Sequence, residues 1–222
     1  MSKNLKLICE TDMSTANNIE LLVEDSGQDK KTYKVRGPYI VAEKKNANGR
    51  TYDSEVMEAS VAEYIKEYIE TKRSVGEMNH PDSVDVDYVN ACHLITSLKR
   101  EGNIWIGESK ILTGTPKGDL YAGLIQNGVS TGMSTRGVGN VNSDGRVDEF
   151  KLVAVDVVFN PSGPGAFVDG ILESRNFLID EHGQIVEKAY NKLEEELSTL
   201  PVRSADKAQK ILNALSNFID EI

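Results

Sequence analysis

Hydrophobic and polar positions along this 222-residue chain alternate as they do in half-buried strands over several stretches, and follow a helical period over fewer. Tyr33 to Ala42 alternates around Gly37–Pro38 and predicts a strand with a bend or bulge. Asn46 to Arg50 is a turn, because Asn and Gly tolerate positive φ. Ser54 is placed to cap a helix carrying an apolar stripe through Val56, Met57, Tyr64, Ile65, Tyr68 and Ile69 as far as Lys72. Strand-like runs follow at Val84 to Leu98 and Ile104 to Leu112, separated by a Gly102–Asn103 turn. Thr113 to Gly118 reads as a loop, and Asp119 to Gln126 as a short helix stopped at Asn127–Gly128. Asn142 to Arg146 is a hairpin turn leading into a dense β-branched strand, Phe150 to Phe159. Beyond Phe167 charged helical patterns dominate, from about Gln184 to Leu200 and from Ser204 to Ile222. Three segments are expected: a loosely attached arm over 1–32, a main domain over 33–170, and a helical tail over 171–222.

One stretch fits none of these patterns. Gly128 to Gly139 holds four glycines and four hydroxyl side chains beside Arg136, a composition from which a core strand gains nothing. It reads either as a hairpin turn or as a loop whose backbone closes on a ligand. The charge of −10 repels phosphate backbones and excludes nucleic acid as a direct partner, favouring a basic protein surface instead. No run approaches the roughly 20 apolar residues of a membrane span, and no signal-peptide pattern opens the chain, so a soluble intracellular protein is expected. Cys9 and Cys92 read as free thiols. His80, Cys92 and His93 lack zinc-ligand spacing, and Asp82, Asp85 and Asp87 lack a calcium-loop pattern, so no metal or other cofactor is expected.

Of the three histidines, His182 lies in a polar turn and His93 in an apolar run, where surface and core roles suit them. His80 stands apart, held by Pro81 at a strand end or turn. A serine hydroxyl needs a base within about 2.6–3.2 Å and a third group to orient that base. Ser134, His80 and Asp156 supply one of each on segments a β-core could bring together. Asp156 sits within an apolar run and needs a buried partner, either His80 or a cation such as Arg136.

Taken in order, Asn48-Gly-Arg-Thr-Tyr52, Gly76-Glu-Met-Asn-His-Pro81, Gly132-Met-Ser-Thr-Arg-Gly137 and Val155-Asp-Val-Val-Phe-Asn-Pro-Ser162 resemble the prohead core protein proteases of tailed bacteriophages. The resemblance covers about Val35 to Ala166. It implies an α+β fold with a mostly antiparallel β-barrel core surrounded by helices, as in the related herpesvirus assemblins. It places the family's histidine on His80 and its serine on Ser134, with Asp156 as third member and Glu149 as the substitute. Thr135, Arg136 and Gly137 would then serve the oxyanion or the substrate, with Arg136 screening developing charge or pairing a substrate glutamate. The implied partners are the scaffolding core proteins and the capsid protein precursor, cut after glutamate inside the prohead in the host cytoplasm by a homo-oligomeric enzyme. Ile171-Leu172-Glu173-Ser174 fits that cleavage pattern and suggests self-cleavage between Glu173 and Ser174 that sheds the tail. The competing reading is a structural protein of the capsid core that keeps the fold and lacks the chemistry.

Overall fold

The computed structural model describes residues 5–11, 19–25, 31–46, 48–81, 83–159, 177–179 and 185–187. The chain divides into two compact units, Leu7–Leu172 and a second formed by Met1–Lys6 with Glu173–Ile222.

The larger unit is built from two sheets. Strands β1 (Lys6–Thr11), β8 (Thr131–Val141), β9 (Arg146–Phe159) and β4 (Thr51–Tyr52) form one sheet in the order β1-β8-β9-β4. Strands β2 (Glu20–Asp25), β3 (Lys31–Val41), β7 (Ile104–Ile111), β6 (Ala91–Glu101) and β5 (Val75–Glu77) form the other in the order β2-β3-β7-β6-β5. Met78, just past β5, bridges in parallel to Val157 of β9 and ties the sheets along one seam. Ring closure does not follow. The expected barrel is absent, because β4 has only two residues, pairs in parallel with β9 and ends its sheet without carrying the ladder onward. Residues 1–32, expected as a loosely attached arm, contribute β1 and β2 to these sheets.

The bulge expected near Pro38 is present: the β3–β7 register shifts between Pro38 and Ile40. Proline has no amide to give a ladder, so pairing must slip where it sits in a strand. Helix α1 runs Ser54–Tyr64 with Asp53 at its N-cap, one residue earlier than the Ser54 cap expected, and continues as a π-helical turn over Ile65–Ile69. Lys72 then closes it with φ of 59°. Met57, Ser60, Val61 and Tyr64 turn inward, and the Leu152 amide of β9 donates to Ser60 Oγ at 2.8 Å. Helix α2 spans Pro116–Gln126 and begins three residues before the expected Asp119. Thr115 Oγ1 accepts from the Gly118 amide at 3.1 Å and Pro116 occupies the first turn, where a missing N–H costs nothing.

The glycine-rich stretch is the largest departure from expectation. Thr131–Val141 is a central strand, buried from Thr131 to Gly139, and not a loop or hairpin turn. Its glycines make that burial possible: a Cβ on Gly137 would lie 2.4 Å from the Lys151 carbonyl and 2.6 Å from the Phe150 ring. The buried Ser134 and Arg136 are tolerated because each finds polar partners, described below.

In the smaller unit, β10 (Phe177–Ile179) and β11 (Ile185–Glu187) pair antiparallel, with Phe177 opposite Glu187 and Ile179 opposite Ile185. The helical pattern expected from Gln184 is thus overturned at its start, where β-branched Ile185 and Val186 lie in β11. The rest of the expected helical tail, and Glu173–Ser174, lie outside the described residues.

Candidate active site

Register brings the first two groups together. In the β8–β9 ladder Ser134 lies directly opposite Asp156, and directly opposed residues share one face of a sheet. Both are completely buried. His80 reaches the pair from the segment after β5, which is pinned to β9: Asn79 takes a φ of 65° and its amide donates to Val157 O at 2.8 Å. Pro81 follows, so the imidazole is held by backbone constraints on both sides.

The three side chains form a hydrogen-bonded line. His80 Nδ1 lies 2.9 Å from Asp156 Oδ2, and His80 Nε2 is hydrogen-bonded to Ser134 Oγ. A carboxylate only accepts, so Nδ1 carries the proton and Nε2 of the neutral ring is free to accept from the serine hydroxyl. That hydroxyl also contacts the backbone carbonyl of Glu10 in β1.

Asp156 keeps its charge because every direction around its carboxylate is filled. Oδ1 accepts the Glu77 amide at 2.9 Å and an Arg136 guanidinium N–H at 3.3 Å, while Oδ2 accepts Arg136 Nε at 2.8 Å besides the imidazole. Burial by itself would raise the Asp156 carboxyl; the His80 hydrogen bond and then Arg136 outweigh it and hold the group below its ordinary range. Arg136 also donates to Glu77 Oε1 at 2.7 Å and to the carbonyls of Ser83, Val84 and Asp85 at 2.8, 3.1 and 3.0 Å. Burial raises the Glu77 carboxyl, opposed by the Asp87 amide and by Arg136.

The guanidinium is therefore committed to Asp156, Glu77 and the 83–85 loop, and a role for its side chain at the oxyanion or a substrate glutamate finds no support here. Asp156 has both of the partners weighed for it, imidazole and cation. Glu149 lies farther along β9, opposite Asn140 and away from Ser134. Thr135 is buried opposite Val155, and Gly137 follows a register shift between Arg136 and Gly137. His93 is a core residue: fully buried, its Nε2 3.0 Å from Val155 O, with its pKa lowered to about 4 by burial. Cys9 and Cys92 are both free thiols, and burial pushes that of Cys9 up to about 12. Among the described residues no cluster of three or more His, Cys, Asp or Glu could hold a metal ion, and no helix is long and apolar enough to cross a membrane.

A second polar cluster, unforeseen from the sequence, adjoins Ser134. The buried Glu10 carboxylate accepts from Arg50 Nε and from Tyr52 Oη (2.7 Å) through Oε1, and from Asn46 Nδ2 (2.6 Å) and Asn48 Nδ2 (2.9 Å) through Oε2. Burial, reinforced by the Glu10 charge, raises the Tyr52 hydroxyl well above its ordinary range and keeps it a donor. The turn is shaped for this: Asn46 Oδ1 accepts the amides of Asn48 (3.0 Å) and Arg50 (2.9 Å), and Gly49 takes a φ of 78°. The only advance signal was that Asn48 to Tyr52 stood among the four resembling motifs with no role attached.

Fold and site together define a class: a β-rich protein carrying a hydroxyl, an imidazole and a buried carboxylate in hydrogen-bonded sequence, the arrangement used for acyl transfer. The chain belongs to the prohead core protein serine protease family, whose model matches residues 9–176. It is 36% identical over 141 residues to the prohead core protein protease of Enterobacteria phage T4, an alignment covering 60% of this chain and 66% of that relative, just under two thirds of its length. The structure of the bacteriophage T4 capsid assembly protease is similar to it with a TM-score of 0.65 and 30% sequence identity, over 71% of this chain and 99% of that one.

Proposed function

We propose that this chain is a serine endopeptidase that acts inside the phage prohead during capsid maturation. The observation that carries the reading is the line Ser134–His80–Asp156, with the acid held ionised by Arg136. Ser134 Oγ attacks the substrate carbonyl while His80 Nε2 takes its proton and then delivers it to the leaving amine. Asp156 fixes the Nδ1–H tautomer and stabilises the imidazolium; Arg136 and the Glu77 amide position Asp156. Backbone amides near Thr135, Arg136 and Gly137 are the candidates for the oxyanion hole.

The substrates are the scaffolding core proteins and the capsid protein precursor, cut after glutamate, and the enzyme works as a homo-oligomer within the host bacterial cell. Its protease unit extends to about residue 170, and cleavage between Glu173 and Ser174 releases the tail. The prohead and capsid-assembly roles of its relatives, and family membership across residues 9–176, support this reading.

Co-expression with a scaffold precursor tests it. The native chain should cut the precursor after glutamate, and Ser134→Ala should reduce the rate by at least about 10⁴-fold. Equal processing by both chains would sink the assignment.

A further inference from the structure

Arg136 and the imidazole meet on one atom. His80 Nδ1 and Arg136 Nε both donate to Asp156 Oδ2, at 2.9 and 2.8 Å. A fixed guanidinium at that oxygen opposes the second positive charge that forms when His80 Nε2 takes the Ser134 proton. The same guanidinium donates from Nη2 to Glu77 Oε1 at 2.7 Å, with Arg136 wholly buried and Glu77 1% exposed. Two carboxylates thus face one guanidinium, and one negative charge is left over to meet the imidazolium. Asp156 and Arg136 alone would leave none.

The Glu77 carboxylate is held in place from both ends. Its Oε1 also accepts the Asp87 amide at 3.0 Å, while its own backbone amide donates to Asp156 Oδ1. Neutral acceptors are enough to fill a guanidinium, and the carbonyls of Ser83, Val84 and Asp85 satisfy Arg136 Nη1 in that way. A second carboxylate in the core carries a desolvation cost that a carbonyl avoids. It is therefore the charge of Glu77, and not its hydrogen bond, that calls for a role.

We propose that Glu77 is a positioning residue of the reaction: acting through Arg136, its carboxylate sets the charge balance that lets His80 become an imidazolium. The proposal rests on the endopeptidase reading of Ser134 and extends its line of side chains beyond Asp156. Among the described residues, the other titratable groups acting on this network hold one form while His80 titrates. On β6, His93 has its pKa lowered to about 4 by burial and is neutral, and burial pushes the Cys92 thiol up. Burial likewise raises the Tyr64 hydroxyl of α1 and the Cys9 thiol of β1, and the Glu10 carboxylate is paired with Arg50. Asp85 and Asp87 on the loop are exposed, where water and salt screen them.

The pH dependence of two rates tests the proposal: phosphonylation of Ser134 by a small phosphonofluoridate, and kcat/KM on a glutamyl peptide, each per active site counted from the phosphonyl end-point. Glu77→Gln keeps the shape and an acceptor oxygen for Arg136 and the Asp87 amide, and has no charge. It should move the acid limb of both profiles about 0.5–1 pH unit lower and cut the plateau rates about 10- to 100-fold, because an imidazolium with less negative charge around it forms less readily. Glu77→Asp keeps the charge on a shorter arm and should leave the limb close to its native position. A folded Glu77→Gln chain whose rates fall with the limb unmoved, or moved upward, overturns the proposal and leaves the endopeptidase reading standing. If Glu77→Gln does not fold, Glu77→Asp decides alone, and a limb displaced well below the native one contradicts a role carried by charge. A native chain that neither takes the phosphonyl group nor cuts the peptide overturns the proposal and the endopeptidase reading together.

Discussion

Arg136 is where the site is most exposed to a single change. It is completely buried, and its guanidinium lies within 2.8 Å of Asp156 and 2.7 Å of Glu77, two carboxylates with little other charge to face. Removing one member of a buried ionic network strands the rest, which costs about 3–5 kcal/mol. Arg136→Met is therefore expected to lower the chain's thermal midpoint sharply, and Arg136→Lys to recover only part of it, because one ammonium cannot reproduce the fork. Asp156→Asn removes the acceptor that fixes the His80 tautomer. Its kcat on a glutamyl peptide should fall by about 10³–10⁴-fold with KM little changed. At this scale the sequence was informative about the reacting groups: a lone acid in an apolar run and a histidine before proline both announce a constraint. It was silent about Glu10, because one glutamate in a polar N-terminal segment carries no mark of the four donors that fold around it.

The elements meet where side chains are missing. Gly76 of β5 lies opposite His93 of β6, and a Cβ there would sit 2.1 Å from Val155 O and 2.2 Å from His93 Nε2. Because Glu77, Asn79 and His80 follow directly, Gly76→Ala should both destabilise the fold, by about 3 kcal/mol or more in denaturant melts, and misplace the imidazole. The hairpin turn at Asn142–Arg146 and the β7 and β9 strands were legible from turn chemistry and alternation. β8 was not, because glycine, serine and arginine state a preference for loops that tertiary packing overrides. Only the neighbouring Phe150 ring and the β9 carbonyls explain why those positions must be small. The barrel inferred from resemblance failed for a similar reason, since nothing in the sequence says that pairing stops after Tyr52.

For the molecule as a whole, burial of His93 ties stability to pH. Its folded pKa of about 4 lies below the ordinary 6.5, so between those values the unfolded chain binds the extra proton and stability falls as pH drops, by up to about 3 kcal/mol. Asp156, whose pKa is lowered from 3.8, acts in the same sense only at more acid pH, while Glu77, raised from 4.5, works against it just above that value. Comparing native chain with His93→Gln isolates the histidine: the native curve should lose stability between pH 6.5 and 4 relative to the variant. The chemistry, however, stands on Ser134, and its most direct measurement is peptide mapping after treatment with a small phosphonofluoridate. One phosphonyl group on Ser134, lost in His80→Ala together with hydrolysis of a glutamyl peptide, is the result expected. A chain that still hydrolyses the peptide with Ser134 unmodified would contradict it.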